Sequence, residues 1–310
     1  MIGNKFQLDI AAGRFTLPVV ILISLLLWGI TSQTWGELGS LAIMILTGYL
    51  MIEMNTAFSL IRTRTTLPVS IYWYLMTSLL FLHPFEWTHF IPLLFILSIF
   101  QLFYSYESHS ASVPIFHSTF FIGIGSLIFP PFIYLIPLLF ISTISFRSLN
   151  IKSFFAGLLG LATPYWFLFG HAFFHDEMHL FYKPFQELFH FYPINYYEVP
   201  SHALISWGTI TILLLISSIH YVIVSYQDKT RTRINLTFIA FSSILTTIFI
   251  AIQPIHLNVL FPIQLIGTSI LTAHLFTLTR NRFTNIFFLV VFLLFIILTC
   301  YNLWIQFFNF

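Results

Sequence analysis

The sequence predicts an all-α fold, a polytopic bundle of about eleven transmembrane helices, with a range of about nine to eleven. Three observations predict it. Only 7% of the 310 residues are charged and 58% are apolar. A soluble domain carries about 25% charged residues, so this chain cannot cover a water-facing surface. Apolar runs of about 20 residues, the length that crosses hydrocarbon, recur from residue 16 to the C-terminus. When those runs are threaded through a bilayer, every Lys and Arg except Lys183 falls on one side. Basic residues in short loops stay cytoplasmic, so the threading also sets an orientation.

In chain order, spans are expected at 16–31, 40–60, 67–83, 90–105, 113–128, 130–146, 153–174, 203–226, 235–253, 257–277 and 284–305. The first could be mistaken for a signal-peptide core. No small-x-small cleavage site follows it in Thr31-Ser32-Gln33-Thr34-Trp35, and it reads as a retained span. The stretch 113–146 is too long for one crossing: as a single helix it would reach about 50 Å against a hydrocarbon layer of about 30 Å. Pro130-Pro131 breaks it near the middle. A hairpin of two short spans solves the length problem and keeps Arg147 and Lys152 inside. The cytoplasmic segments then carry Lys5, Arg14, Arg62, Arg64, Arg147, Lys152, Lys229, Arg231, Arg233, Arg280 and Arg282. The N-terminus is inside and the C-terminus outside. Residues 1–310 read as a single transmembrane domain.

One external segment, 175–202, is long. Met178, Phe181, Phe185, Leu188 and Tyr192 share one helical face, while Asp176, His179, Lys183, Gln186 and His190 share the other. This predicts an amphipathic element on the outer leaflet, divided in two by Pro184. A loop that merely covers the bundle would carry a similar aromatic belt.

Four groups of residues are candidates for chemistry. Glu53 falls inside the second span, and an acid in the bilayer is by default functional, as a proton carrier or a partner for another intramembrane polar group. Gln101, His117, His220, Gln253, His256 and His274 are such groups. The plain alternative is a neutral Glu acting as packing glue. Glu37, in the first external loop, stands where multi-pass glycosyltransferases acting on lipid-linked sugars keep a catalytic acid. The acidic pair usual in that class is missing here, and a lone loop Glu is commonly just solvated. His171, His175 and His179 have the i, i+4, i+8 spacing of a shared metal site; histidines at a fraying helix end also arise as interfacial residues. Finally, Arg62-Thr63-Arg64, Arg231-Thr232-Arg233 and Arg280-Asn281-Arg282 repeat at inner span ends. They suit a phosphate or anionic lipid head group, or serve only as topological anchors.

The rest is exclusion. The net charge of +2 and the absence of a long basic run give no footing for nucleic acid. Cys300 is the lone cysteine, so no intrachain disulfide forms. No phosphate loop, nucleophile elbow or paired-cysteine motif occurs, and no cofactor is expected. Gly157 and Gly160 in the seventh span suit close helix packing.

Three stretches carry a resemblance: Arg62-Thr63-Arg64, Gly123-Ile124-Gly125-Ser126-Leu127-Ile128-Phe129-Pro130-Pro131, and Gly157-Leu158-Leu159-Gly160-Leu161-Ala162-Thr163-Pro164-Tyr165-Trp166. Together they make residues 60–170 resemble a multi-pass membrane-protein family of Bacteroidota that has no established activity. The resemblance implies a bacterial inner-membrane setting and nothing about catalysis. Three function classes follow. One is a transporter or flippase-like protein of the cell envelope, resting on Glu53 and the intramembrane polar groups. Another is a membrane enzyme acting on a lipid-linked substrate, with an outer-face site shared by Glu37, His175, Asp176, Glu177 and His179. The last is a non-catalytic scaffold subunit. Membrane lipids and a lipid-linked or anionic substrate are the expected partners.

Overall fold

A backbone in hydrocarbon has no water to bond to, so each span must satisfy its own N–H and C=O groups, which a helix does. The computed structural model describes residues 5–32, 34–279 and 281–308, and no strand occurs among them. The helices are α1 (Lys5–Ala11), α2 (Thr16–Thr31), α3 (Trp35–Phe58), α4 (Leu67–Ser78), α5 (Phe90–Tyr104), α6 (Ser112–Ile128), α7 (Ile136–Ser145), α8 (Ile151–Phe174), α9 (Met178–Leu188), α10 (Ser201–Val224), α11 (Thr230–Ile252), α12 (Leu257–Leu278) and α13 (Arg282–Phe308).

Seven helical segments among the described residues are long and apolar enough to cross a membrane: Trp35–Phe58, Trp87–Tyr104, Ile151–Phe174, Ser201–Gln227, Thr230–Ile252, Pro254–Leu278 and Arg282–Phe308. This is the architecture of a multi-pass membrane protein. Every one of the eleven expected spans falls on helix, but the other four are short. Thr16–Thr31, Ser112–Ile128 and Pro130–Ser145 are apolar and under 18 residues, and α4 has 12. At about 1.5 Å per residue, such lengths fall short of a hydrocarbon layer of about 30 Å.

The helices gather into two compact units: Met1–Glu86 with Asn195–Phe310, and Trp87–Ile194. In the first unit α12 is the centre. Of its apolar stretch, 94% is buried, with α4, α10 and α11 packed around it. Its polar residues are answered by neighbours. Trp207 Nε1 donates to Gln264 Oε1 at 3.0 Å, Gln264 Nε2 donates to Thr211, and Ser217 and Thr272 share a hydrogen bond at 3.0 Å. Gly267 lies against Ser243 so closely that a Cβ would collide with the serine side chain; small residues here let the backbones of α11 and α12 approach. In α4 every residue but Tyr74 is buried. The rim is bare hydrocarbon: Leu22, Leu25, Leu26 and Ile30 on α2, and Ile286, Val290, Leu293 and Ile297 on α13, are exposed. Contiguous apolar surface of this kind is stable against lipid and a liability in water.

The second unit is built on the crossing of α6 and α8. A Cβ on Gly160 would strike the carbonyl oxygen of Phe116, and one on Gly123 would stand 2.9 Å from that of Leu161. Asn150 caps α8 reciprocally with Ser153. The expected hairpin is present: α6 ends at Phe129, Pro130–Leu135 forms a 3-10 turn, and α7 runs back. The Glu107 amide, before α6, donates to the Phe146 carbonyl, after α7, at 3.0 Å. The pair therefore returns to its starting level.

One expectation is corrected here. Pro184 does not divide 175–202 into two helices; it lies inside the single helix α9. It is the seventh residue, and its buried ring is held as α9 packs on α8 through Phe181–Phe169 and Phe185–Tyr165 ring pairs. Packing there outweighs the loss of one backbone bond.

Candidate functional site

Four chain segments meet at one end of the first unit. Gln7 Nε2 donates to the carbonyls of Phe276 (2.6 Å) and Thr279 (3.0 Å). Thr65 Oγ1 donates to the Ala11 carbonyl. Arg62 donates to Gln227 through its side chain at 3.1 Å and its carbonyl at 3.5 Å. Thr232 Oγ1 donates to the Ser59 carbonyl at 3.2 Å. This basic end opens into a cavity of about 970 Å³.

The cavity is shaped by the exit from α3. Ser59 takes a left-handed conformation (φ 49°) that stops the helix. Asn55 then laces the outgoing loop: its Oδ1 accepts the Ile61 amide at 3.1 Å and its Nδ2 donates to the Thr65 carbonyl at 3.4 Å. Pro68, in the first turn of α4, restarts the helix. The wall so formed holds Arg14, Arg62 and Arg64, the hydroxyls of Thr56, Ser59, Thr63, Thr65 and Thr66, and the apolar groups of Ile52 and Ile61, with no acid. Guanidinium forks beside the Ser59 and Thr66 hydroxyls, around a partly apolar recess, suit an oxyanion; the Thr56 and Thr65 hydroxyls already donate to the Ile52 and Ala11 carbonyls.

The Arg-x-Arg repeats partly converge. The second adjoins the first, with the Arg231 guanidinium 5.3 Å over the Phe58 ring and the Arg233 carbonyl taking the Tyr221 hydroxyl proton at 2.7 Å. Arg282 is exposed on the first turn of α13. Arg280 lies outside the described residues.

Glu53 does not enter the bundle. It is exposed on α3, next to Ile52 of the cavity wall, and within the first unit no hydrogen bond or ion pair joins it to His220 or His274. Glu37 is buried in the first turn of α3, where its Oε1 accepts the Thr34 hydroxyl proton at 3.2 Å. A carboxylate at that position complements the helix dipole. Glu37 belongs to the first unit and the histidine cluster to the second.

The three histidines expected on one helical face lie on either side of a helix break. His171 and His175 meet edge-to-face, ring centroids 4.4 Å apart. But α8 ends at Phe174, Asp176 turns left-handed (φ 55°), and His179 starts on α9. The i, i+4, i+8 register does not survive that break. Among the described residues no three His, Cys, Asp or Glu groups are placed to hold a metal ion.

The sequence reading missed one group near the basic end. His274 Nε2 and Asp228 Oδ2 are 2.9 Å apart, with side chains 0% and 3% exposed. His274 was visible as an intramembrane polar residue. Asp228 belonged to none of the candidate groups, although an acid directly before Lys229, Arg231 and Arg233 was the available signal.

No family model, no curated protein and no solved structure matches this chain.

Proposed function

We propose that the chain is a multi-pass inner-membrane protein of the cell envelope, transporter- or flippase-like. It takes an oxyanionic, phosphate-type group into the Arg14–Arg62–Arg64 cavity from the cytoplasmic side. The cavity supports this reading: Arg14, Arg62 and Arg64 line a recess that has no acid among its described lining residues. Its volume of about 970 Å³ lies at the upper end of small-ligand sites, about 300–1,000 Å³. The short helices α2, α4, α6 and α7 complete eleven crossings, with the N-terminus and the basic end cytoplasmic and the C-terminus external. The enzyme reading has weaker support, because the Glu37 carboxylate is buried at a helix start.

The shared chemistry has two sources, a lipid head group or a free anion. Purified protein in phosphatidylcholine nanodiscs is titrated with inorganic phosphate and sulfate. In parallel, retention of phosphatidylglycerol over phosphatidylcholine is measured. Arg62→Gln with Arg64→Gln should weaken whichever binding occurs about tenfold or more. Binding in phosphatidylcholine discs identifies a free anion; selective phosphatidylglycerol retention alone identifies a head group. Neither in the wild-type protein sinks the reading.

A further inference from the structure

Asp228 and His274 form a carboxylate–imidazole pair at 2.9 Å with both side chains essentially removed from solvent. A net charge in such a place is costly, so the pair is stable only with a compensated charge. One proton shared between the two groups achieves that; a pair with none is a buried anion. The second ring nitrogen of His274, Nδ1, is buried without a partner. His220 of α10 lies within electrostatic range of His274, and its two ring nitrogens also have no partner. A further proton on the enclosed pair would leave a net charge there, whereas His220 is half-buried with two unspent nitrogens, so it is the group with room to take one.

The other groups facing this cluster are few. Tyr221 of α10 stacks edge-to-face on His274, and its hydroxyl is taken up by Thr237 and the Arg233 carbonyl of α11. Arg233 itself is exposed. From α1, α4 and α13, which also adjoin α12, no titratable side chain among the described residues bonds to His274 or Asp228.

The cluster is joined to the cavity by one peptide step. Asp228 is fixed by His274, and its neighbour Gln227 holds Arg62 through both side chain and carbonyl. A shift of the 225–228 turn therefore moves a cavity guanidinium.

We propose that Asp228, His274 and His220 are a proton-binding site whose occupancy is coupled to anion binding in the Arg62 cavity, which names the co-substrate of the transport reading and rests on it. A proton from the cytoplasmic water adds positive charge near the cavity, so proton and anion bind cooperatively. Coupling is reciprocal: anion binding also draws a proton into the cluster.

The test uses full-length protein in phosphatidylcholine nanodiscs with sulfate, which keeps its charge throughout, titrated between pH 6 and pH 8. In parallel, the imidazole signals of His220 and His274 are followed by nitrogen NMR. Wild-type sulfate affinity should rise about tenfold from pH 8 to pH 6. The rise should vanish in Asp228→Asn and in His220→Gln, which keep binding at a constant level. His220→Gln removes no hydrogen bond, so it remains informative should Asp228→Asn fail to fold. An undiminished pH slope in His220→Gln and Asp228→Asn overturns the proposal. Absence of sulfate binding at every pH defeats the anion-cavity reading instead. The proton site then stands if the two imidazoles titrate as a linked pair, and falls if neither titrates in this range.

Discussion

Thr232 donates its hydroxyl proton to the carbonyl oxygen of Ser59, across 3.2 Å. That bond ties the Arg-Thr-Arg at the start of α11 to the left-handed residue from which the Arg62–Arg64 loop departs. Thr232 is 6% exposed, so water does not replace the bond when it is lost.

Thr232→Val keeps the side-chain shape and leaves the Ser59 carbonyl without its donor. It should cost about 1–2 kcal/mol of stability and weaken anion binding in the cavity. Thermal unfolding in detergent together with sulfate titration measures both. A variant with wild-type stability and affinity would mean that the ties made by Asn55, Thr65 and Arg62 hold the loop without Thr232.

Orientation is tested separately. Reporter fusions after Arg64, Lys152 and Arg233 should all report the cytoplasm, and one near Glu187 the opposite side. A cytoplasmic signal at Glu187 overturns the proposed orientation.

Much of the architecture was legible because it is written in composition and spacing. The apolar runs gave the helices, and Pro130-Pro131 gave the break between α6 and α7. Gly160 was read as a place of close helix packing, and the structure names the partner: only a hydrogen fits beside the Phe116 carbonyl of α6. What periodicity cannot show is whether a helix continues. His171, His175 and His179 keep a helical spacing through a backbone that has stopped being helical at His175, and Pro184 stays inside a helix that packing holds together. The cavity was half legible. Arg62 and Arg64 were singled out by their repeat, but Arg14 joins them through tertiary folding of a distant segment, and Asn55 through the local turn that follows α3. Asp228 was illegible as a buried group because burial depends on where the 225–228 turn settles against α12.

The broken histidine register makes a metal prediction. His171 and His175 alone offer two ligands, whereas structural zinc is held by four and catalytic zinc by three protein ligands. Calorimetric titration with zinc should show no saturable one-to-one site at micromolar concentration, and chelators should leave the melting temperature unchanged. A stoichiometric site abolished by both His175→Ala and His179→Ala would require the segment 175–179 to adopt a different conformation.

Glu53 gives the last prediction, since its position separates two ways of coupling protons to transport. Glu53 is exposed on α3 and makes no hydrogen bond or ion pair among the described residues. The pair at Asp228 and His274 is buried, with its two groups 2.9 Å apart. Glu53→Gln preserves size and removes the charge next to the Arg62 cavity, so long-range attraction of an anion should rise slightly, by about twofold or less at physiological salt. The pH dependence of sulfate binding should stay as in the wild type, because the titrating groups are untouched. The measurement is the same nanodisc titration between pH 6 and pH 8, run on Glu53→Gln and His220→Gln side by side. Loss of the pH slope in Glu53→Gln with its retention in His220→Gln would move the proton site to α3, and the turn at Gln227 would then have no part in coupling.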